Sequence, residues 1–227
     1  DNVSVKEVEQ KALDFTFTRG SNLSATRVGP DGLIEKGREN LLKYSNGFDN
    51  ALWSGGGNTL AVTSGQAGYD GSTDAFLLNK NVSGDFKRLQ QVVSATAGVT
   101  AFSVYTKAGT ISSMTLRGGS HGATDNGNND RATFNLSNGT HSVNNDAMSS
   151  TMEAITGSSG DTDRWYRCAV IFRDTTQMVQ LYIDFDTTST GTIFVQNAQL
   201  EDGLAATEYI DSPGAATGKS GVLEDSP

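Results

Sequence analysis

The sequence contains very little cysteine and histidine. Its 227 residues include one cysteine, Cys168, and two histidines, His121 and His141. A single cysteine cannot close a disulfide within the chain, and its place inside an apolar run predicts a buried, small hydrophobic side chain. A catalytic thiol needs a neighbouring base, and neither histidine is close to Cys168 in the sequence. We therefore expect neither a disulfide nor thiol chemistry.

Proline is also scarce, and it is absent from the middle of the chain. The three prolines are Pro30, Pro213 and Pro227. Because proline cannot donate a hydrogen bond to a β-ladder, the proline-free stretch between residues 31 and 212 favours a continuous, sheet-rich core. The sequence has 26 glycines, and serine, threonine and asparagine separate its short apolar runs. This composition is typical of an all-β protein with many turns.

Positive charge is in deficit. Lys and Arg total 17 against 26 Asp and Glu, which gives a formal net charge of −9. A nucleic-acid partner requires a basic face that neutralises phosphates, and no such cluster occurs, so we expect no nucleic acid. No apolar run approaches the roughly 18 residues that cross a bilayer, so we expect no membrane insertion. The first residues, Asp1–Ser4, lack an initiating Met and a signal-peptide pattern, which indicates an excised piece of a longer protein.

No arrangement of catalytic residues is recognisable in the sequence. Both histidines lie in turns rich in Gly, Asn and Ser, whereas a catalytic triad needs its members on rigid elements. Two pairs of neighbouring acids, Asp161/Asp163 and Glu201/Asp202, have the chemistry of a glycosidase pair. Neighbouring acids in loops are far more often solvent-facing turn residues. We therefore expect no catalytic residues and no enzyme activity.

One segment, Asp125–Asp130 (DNGNND), has two interpretations. It is rich in the hard oxygen ligands that Ca²⁺ prefers, and it contains a glycine. It lacks the terminal Glu of an EF-hand loop, and Asn, Asp and Gly are also the ordinary residues of a long hairpin turn. Both interpretations stay open, and we assign no metal ligand and no cofactor.

Short apolar runs with alternating side chains, joined by loops that contain Gly or Asn, predict an antiparallel two-sheet β-sandwich. No convincing amphipathic helix is present, although Ala147–Ile155 allows a helical turn or two. The predicted strands are Thr59–Thr63, Ala75–Asn79, Phe86–Val93, Val99–Lys107, Ser112–Arg117, Arg131–Ser137, Arg164–Arg173, Gln177–Phe185 and Thr192–Leu200.

The ends of the chain differ from its middle in composition. We predict an extended N-terminal arm over residues 1–40, a β-sandwich domain over residues 41–212 and a C-terminal linker over residues 213–227. The arm includes Leu13–Thr18 (LDFTFT), whose strict alternation predicts a strand. This strand either packs on a neighbouring molecule or forms the first strand of the sandwich itself.

Three phrases in the sequence resemble one family. Leu33–Trp53 contains R-x-N-L-L, S-N-x-F and a Trp; Trp165–Phe172 (WYRCAVIF) fits W-Y-R-x-x-V-x-F; and Thr192–Ile210 ends a β-run in QLEDG before Tyr209-Ile210. These phrases resemble the jelly-roll, carbohydrate-binding-module-like domains of bacteriophage tail-fibre and other virion surface proteins. They bracket about residues 31–210, which is most of the chain.

The resemblance implies a jelly-roll domain in a non-enzymatic phage structural protein at the virion surface: a tail fibre, an appendage or a head-decoration component. It implies other virion proteins as partners, attachment to host cell-surface glycan, and a homo-oligomer, which in phage fibres is usually a trimer. The lack of a disulfide agrees with assembly in a reducing bacterial cytoplasm. Two alternatives stay open: an accessory carbohydrate-binding module of a secreted bacterial enzyme or adhesin, and a purely structural, particle-stabilising protein.

A glycan site needs aromatic rings that stack on the apolar faces of sugars, and polar side chains that bind the hydroxyls. Alternation places several such side chains opposite the core, and we expect them to line one sheet face, with tyrosine as the stacking platform. The predicted glycan-binding residues are Tyr105, Lys107, Arg117, Arg131, Gln180, Tyr182 and Asp184. In the other interpretation, these tyrosines cover a sheet or contact a neighbouring subunit.

Overall fold

The computed structural model describes residues 26–28, 34–36, 38–84, 86–96, 98–119, 131–144, 147–155, 163–173 and 176–214. Several predicted features lie outside these ranges. They are the strand at 13–18, most of the N-terminal arm, His121, the oxygen-rich segment 125–130, Asp161 and the C-terminal linker from residue 215.

Strands make up almost all of the regular structure in these ranges, beside a short 3-10 turn, η1 (Gly56–Asn58). The strands, in chain order, are β1 (Thr26–Val28), β2 (Ile34–Lys36), β3 (Ala61–Gln66), β4 (Ala75–Lys80), β5 (Arg88–Thr96), β6 (Thr100–Ala108), β7 (Ser113–Gly119), β8 (Arg131–Asn135), β9 (Thr140–Asn144), β10 (Ser149–Ala154), β11 (Trp165–Phe172), β12 (Thr176–Ile183) and β13 (Gly191–Asp202).

The strands form two large antiparallel sheets and one small hairpin. The six-stranded sheet has the order β10-β11-β6-β13-β4-β3, and the five-stranded sheet has the order β5-β12-β7-β8-β9. Strands β1 and β2 pair only with each other among the described strands. The two large sheets enclose one apolar core, to which both contribute side chains. The predicted all-β fold, an antiparallel two-sheet β-sandwich, is confirmed.

Alternation correctly assigned the inner face of the central strands. Val179, Leu181 and Ile183 of β12 have no exposed surface and lie in the core. Phe102 and Val104 of β6, from the other sheet, are equally buried. Each such side chain stabilises the fold by about 1.5–3 kcal/mol, before the entropy of ordering the chain is subtracted. The apolar layer between the sheets is therefore the main driving force for folding.

Two strands at one side of the sandwich were not predicted. All five side chains of β9 are exposed, so its sequence carries no pattern of buried apolar residues. Strand β10 lies in the stretch 147–155, where the sequence allowed a helical turn, and that interpretation was wrong. Its six residues pair with β11 in continuous register, and Met152 packs against the core. Pairing with a neighbouring strand overrides a weak local helical preference.

A buried amide, Asn40, joins both ends of the domain to the middle of the six-stranded sheet. Its side chain is 1% exposed, and its Nδ2 donates to the carbonyls of Ala198 and Ile210, both at 2.9 Å. Its Oδ1 accepts hydrogen bonds from the backbone N–H groups of Leu42 and Leu200, both at 3.1 Å. One side chain thus satisfies four backbone groups, one of them two residues away and the other three between 158 and 170 residues away in the sequence.

A β-bulge in β13 receives the segment that follows Asn40. Strand β13 shifts register against β6 in its middle, where Asn197 has the left-handed backbone conformation (φ 52°). The backbone N–H of Asn197 donates to Asn46 Oδ1 at 2.9 Å, and that of Ala198 donates to the Ser45 carbonyl at 2.8 Å. The Ser45 hydroxyl lies 2.7 Å from the Tyr209 hydroxyl. The extra residue of the bulge therefore turns backbone donors away from the ladder and towards residues 40–46, which we call the lead-in segment.

The chain after β13 crosses the outer face of the six-stranded sheet. Gln199 Oε1 accepts from the backbone N–H of Ile210 at 2.7 Å, and Gln199 Nε2 donates to the Thr207 carbonyl at 3.4 Å. The guanidinium of Arg167, on β11, also donates to the Thr207 carbonyl. Because Gln199 and Arg167 point away from the core, residues 203–210 form a cover over this part of the face.

We predict that Asn40→Ala lowers the free energy of unfolding by about 3 kcal/mol, because it leaves several buried backbone groups without partners. The measurement is urea-induced unfolding followed by tryptophan fluorescence. Asn138→Ala is the matched control. Asn138 is exposed, and its Oδ1 accepts from Thr140 in a turn, so its loss should cost less than about 1 kcal/mol. Equal costs for the two substitutions would contradict this role of Asn40.

Candidate functional site

The predicted glycan-binding residues lie on two different sheets. Tyr105 and Lys107 belong to β6 in the six-stranded sheet, whereas Arg117, Arg131, Gln180 and Tyr182 belong to β7, β8 and β12 in the five-stranded sheet, and Asp184 follows β12. The expectation that all seven line one sheet face was therefore wrong. Alternation assigns the side of a strand on which a residue lies, but it does not say which sheet that strand joins.

Three of the predicted residues form a buried hydrogen-bonded row on the outer face of the five-stranded sheet. Arg117 Nη1 donates to the Tyr182 hydroxyl at 3.2 Å, and that hydroxyl donates to Gln180 Oε1 at 3.0 Å. Gln180 Nε2 continues the row to Gln90 Oε1, also at 3.0 Å. Arg117 and Gln180 are 2% exposed and Tyr182 is not exposed at all, so this tyrosine offers no ring surface for stacking.

Arg131 and Asp184 lie at the border of this row. The Arg131 guanidinium carbon is 4.6 Å from the centroid of the Phe185 ring, which meets the Tyr182 ring edge-on at 4.8 Å. Asp184 has a left-handed backbone (φ 47°), and its carbonyl accepts from the buried ammonium of Lys80 at 3.3 Å. Asp184 therefore contributes to the turn after β12 through its backbone.

Lys80 fixes that turn through a second partner, Asp186. The ammonium donates to the carbonyl of Asp186 at 2.7 Å and to its Oδ1 at 2.8 Å. Burial alone would raise the pKa of Asp186, but the hydrogen bonds from Lys80, Ser189 and Thr188 outweigh it and hold this pKa well below its ordinary value. The buried lysine thus serves as the internal counter-ion of the β12–β13 connection.

The outer face of the six-stranded sheet carries a row of large side chains across four strands. Trp165 pairs with Lys107, Lys107 with Phe194, and Phe194 with Leu77. The Lys107 ammonium lies 5.7 Å from the centroid of Trp165 and 4.9 Å from that of Phe194. Lys107, Phe194 and Leu77 are half-buried, and Trp165 is 4% exposed. Cation–π attraction therefore holds the ammonium between two rings.

A pair of stacked tyrosines extends this row. The rings of Tyr69 and Tyr105 are 4.1 Å apart at an interplanar angle of 7°, and the rings of Tyr69 and Trp165 meet edge-to-face at 6.2 Å. Tyr105 is 8% exposed, because Tyr69, which is half-buried, lies over it. The Arg167 guanidinium carbon is 5.4 Å from the Tyr105 ring. We call Tyr69, Tyr105, Lys107, Trp165 and Phe194 the aromatic platform.

The loop that carries Tyr69 is anchored by a buried amide of β13. The Tyr69 backbone N–H donates to Gln196 Oε1 at 3.0 Å, and Gln196 Nε2 donates to Asp74 Oδ1 at 2.5 Å and Asp70 Oδ1 at 3.2 Å. Burial works to raise the pKa of Asp70, but hydrogen bonds from Ser72 and Gln196 lower it below its ordinary value. Within the described ranges, no three His, Cys, Asp or Glu side chains are grouped as a metal site would require.

Three platform residues were not among the sequence-predicted site residues. Trp165 and Phe194 lie opposite the core positions of their strands, so alternation contained the signal for both. Tyr69 lies in the connection between β3 and β4, where no alternation applies, and its position over Tyr105 depends on the fold of that loop.

In chemical terms, the platform offers the partly exposed rings of Tyr69 and Phe194 beside the Lys107 ammonium, while Tyr105 and Trp165 are buried beneath this surface. Rings that are partly exposed stack on the C–H faces of sugars, and a nearby ammonium donates to sugar hydroxyls or carboxylates. No helix in the described part of the chain has the length and apolar character of a membrane span. No protein-family model and no curated protein matches the chain.

The ionisation of Tyr69, a platform residue, makes the free energy of unfolding depend on pH. Burial is the main cause that raises the pKa of Tyr69 from 10.0 to about 12. The unfolded chain therefore releases this proton near pH 10, while the folded chain retains it up to about pH 12. The contribution of Tyr69 is fully present below pH 10 and is lost as the pH rises to 12.

We predict that Tyr69→Phe reduces the loss of stability between pH 10 and about pH 11, because phenylalanine has no proton to release in the unfolded state. Urea unfolding midpoints of both proteins at several pH values measure this difference, and the phenolate absorbance of the folded proteins provides a second readout. Parallel losses of stability in the two proteins would show that Tyr69 ionises at its ordinary pKa.

Proposed function

We propose that this chain is a non-enzymatic structural protein of a phage virion, a fibre, appendage or head-decoration component, whose β-sandwich attaches to host surface glycan through the aromatic platform. The protein contacts other virion proteins and associates with itself. The single observation that carries the glycan role is the platform: aromatic side chains and an ammonium brought together on an outer sheet face by cross-strand pairing.

The platform suits binding better than catalysis. Among the described carboxylates, Asp163 pairs with the platform's own Lys107 ammonium at 3.3 Å, and Asp70 and Asp74 accept hydrogen bonds from Gln196. Bond cleavage in a glycan usually needs two carboxyl groups that flank the scissile bond, one of them protonated. A rigid sheet with stacked rings provides the preorganised apolar surface that a sugar ring binds without such groups.

The virion assignment is supported by the three phrases that resemble phage surface domains with a jelly-roll fold. Two of them contain the residues of the Asn40 network: R-x-N-L-L supplies Asn40, and the closing phrase supplies Ala198, Leu200 and Ile210. These phrases therefore coincide with buried contacts of this domain. Two other roles stay open, an accessory carbohydrate-binding module of a secreted bacterial enzyme or adhesin, and a purely structural, particle-stabilising protein.

Mass spectrometry of purified particles tests the virion assignment. We expect peptides of this chain in phage particles banded by density gradient, in a constant ratio to the major capsid protein across preparations. The secreted fraction of the same culture, after particles are removed, is the control. Peptides found in that fraction and absent from particles would favour the secreted accessory module instead.

Substitutions in the platform test the glycan role. We predict that Lys107→Ala and Phe194→Ala each weaken binding to host surface polysaccharide by about 5- to 20-fold, since each removes a stacking or cation–π contact. Isothermal titration calorimetry against polysaccharide purified from the host bacterium gives the affinities. Circular dichroism spectra verify that both variants are folded.

Two further variants distinguish a loss of glycan affinity caused by the platform from effects of charge or of stability elsewhere in the protein. Lys43→Ala removes an exposed lysine of the lead-in segment and should leave binding unchanged. Tyr182→Ala should lower stability, because this buried ring and hydroxyl belong to the hydrogen-bonded row. If the platform variants bind the polysaccharide as tightly as the wild type, the glycan role fails, and a structural role remains.

A further inference from the structure

Two lysine–aspartate pairs of this chain differ in how firmly they are held. The side chain of Lys80 has no exposed surface, and its ammonium donates to the carbonyls of Asp184 and Asp186 and to Asp186 Oδ1. Lys107 keeps 16% of its side chain in solvent, and its ammonium contacts Asp163 Oδ1. The first pair is an internal part of the fold, whereas the second lies at the surface of the aromatic platform.

The ammonium of Lys107 is held beside aromatic rings and has lost part of its hydration. Its Nζ lies 4.9 Å from the centroid of Phe194 and 5.7 Å from that of Trp165. An aromatic face attracts a cation but is no substitute for an oxygen acceptor, so the N–H groups of this ammonium still need oxygen partners. Because a charge that is partly removed from water interacts more strongly with an opposite charge, Lys107 is well placed to bind an anion.

Asp163 is an anion that a ligand can replace at this position. Its side chain is 86% exposed, and its Oδ1 lies 3.3 Å from the Lys107 ammonium, compared with 2.8 Å between Lys80 and Asp186 Oδ1. An exposed ion pair contributes little free energy, because water solvates both charges when the pair separates. A carboxylate from a ligand can therefore take this place at low cost.

The surroundings of Lys107 restrict the kind of anion that fits. The chain has a net charge of −9, which repels a densely charged polyanion such as a nucleic acid. A sugar that carries one carboxylate needs only one ammonium, and its C–H face also gains contact with an aromatic ring. The half-buried Phe194 provides that ring next to the ammonium. The pair of Lys107 and Phe194 thus matches the two parts of an acidic sugar.

We propose that the aromatic platform binds an acidic glycan, in which the carboxylate of a uronic acid or a similar sugar replaces Asp163 at the Lys107 ammonium. This inference rests on the proposed glycan role and names the class of sugar. The sugar ring lies against Phe194, and its carboxylate accepts a charge-assisted hydrogen bond from Nζ of Lys107. Lys107 therefore selects acidic over neutral sugars, because a neutral sugar offers no charge to replace that of Asp163.

Removal of the carboxylates from the polymer tests this inference. Polysaccharide purified from the host bacterium is used as isolated and after carbodiimide–borohydride treatment, which reduces each carboxylate to a primary alcohol. We expect the wild-type chain to bind the native polymer about 10-fold more tightly than the reduced polymer in isothermal titration calorimetry. Size-exclusion chromatography verifies that the two polymers have the same length.

The outcomes of this titration separate the inference from the glycan role itself. Equal affinities for the two polymers, or binding to a host polysaccharide that contains no acidic sugar, would overturn the inference and leave the glycan role in place. Binding to neither polymer would overturn both.

Two substitutions should change the affinity for the native polymer in opposite directions. Lys107→Met keeps an unbranched apolar side chain without the charge, and should weaken binding of the native polymer about 10-fold while changing that of the reduced polymer less than about 2-fold. Asp163→Asn removes the competing carboxylate and should strengthen binding of the native polymer alone, by about 2- to 5-fold.

Asp49→Asn is the matched control for Asp163→Asn. It changes the net charge equally at an exposed aspartate outside the platform, and it should leave both affinities unchanged. Circular dichroism spectra verify that all three variants are folded. Weaker binding of the native polymer by Asp163→Asn, or equal losses for the two polymers in Lys107→Met, would contradict the selection of acidic sugars by Lys107.

Discussion

The structure depends on the buried amide of Asn40. An unpaired buried amide costs several kcal/mol, and this one meets its full hydrogen-bonding capacity only when the lead-in segment, β13 and Ile210 come together. The bulge at Asn197 and the Ser45–Tyr209 contact lie beside this amide and form only when the same segments come together. A packed core tolerates several arrangements of the chain ends, whereas this network permits one. The hydrogen bonds of this buried amide thus fix where the chain enters and leaves the domain.

The two outer sheet faces use similar residues in opposite ways. On the five-stranded sheet, Arg117, Tyr182 and Gln180 satisfy one another and are buried. On the six-stranded sheet, Lys107 is held by the rings of Trp165 and Phe194 and keeps part of its surface in solvent. Tyrosine and cationic side chains therefore stabilise the fold on the five-stranded sheet and form a candidate recognition surface on the six-stranded sheet. The difference lies in their neighbours: Arg117 donates to the buried Tyr182 hydroxyl, whereas Lys107 lies between two aromatic rings and pairs with the exposed Asp163.

Much of the fold was predictable from the sequence, because side-chain alternation is a local property. The runs around Phe102 and Leu181 encode buried inner faces, and the placement of proline marks the limits of the sheet-rich region. Long-range partners decided the rest. Alternation put Tyr105 and Tyr182 outward, but only the strand order placed them on different sheets, one beneath Tyr69 and the other inside a hydrogen-bonded row. Strands β9 and β10 escaped prediction because pairing with β8 and β11, rather than burial of their own side chains, holds them in place. The pattern along a strand follows from its own residues, whereas its neighbours in the sheet follow from the path of the whole chain.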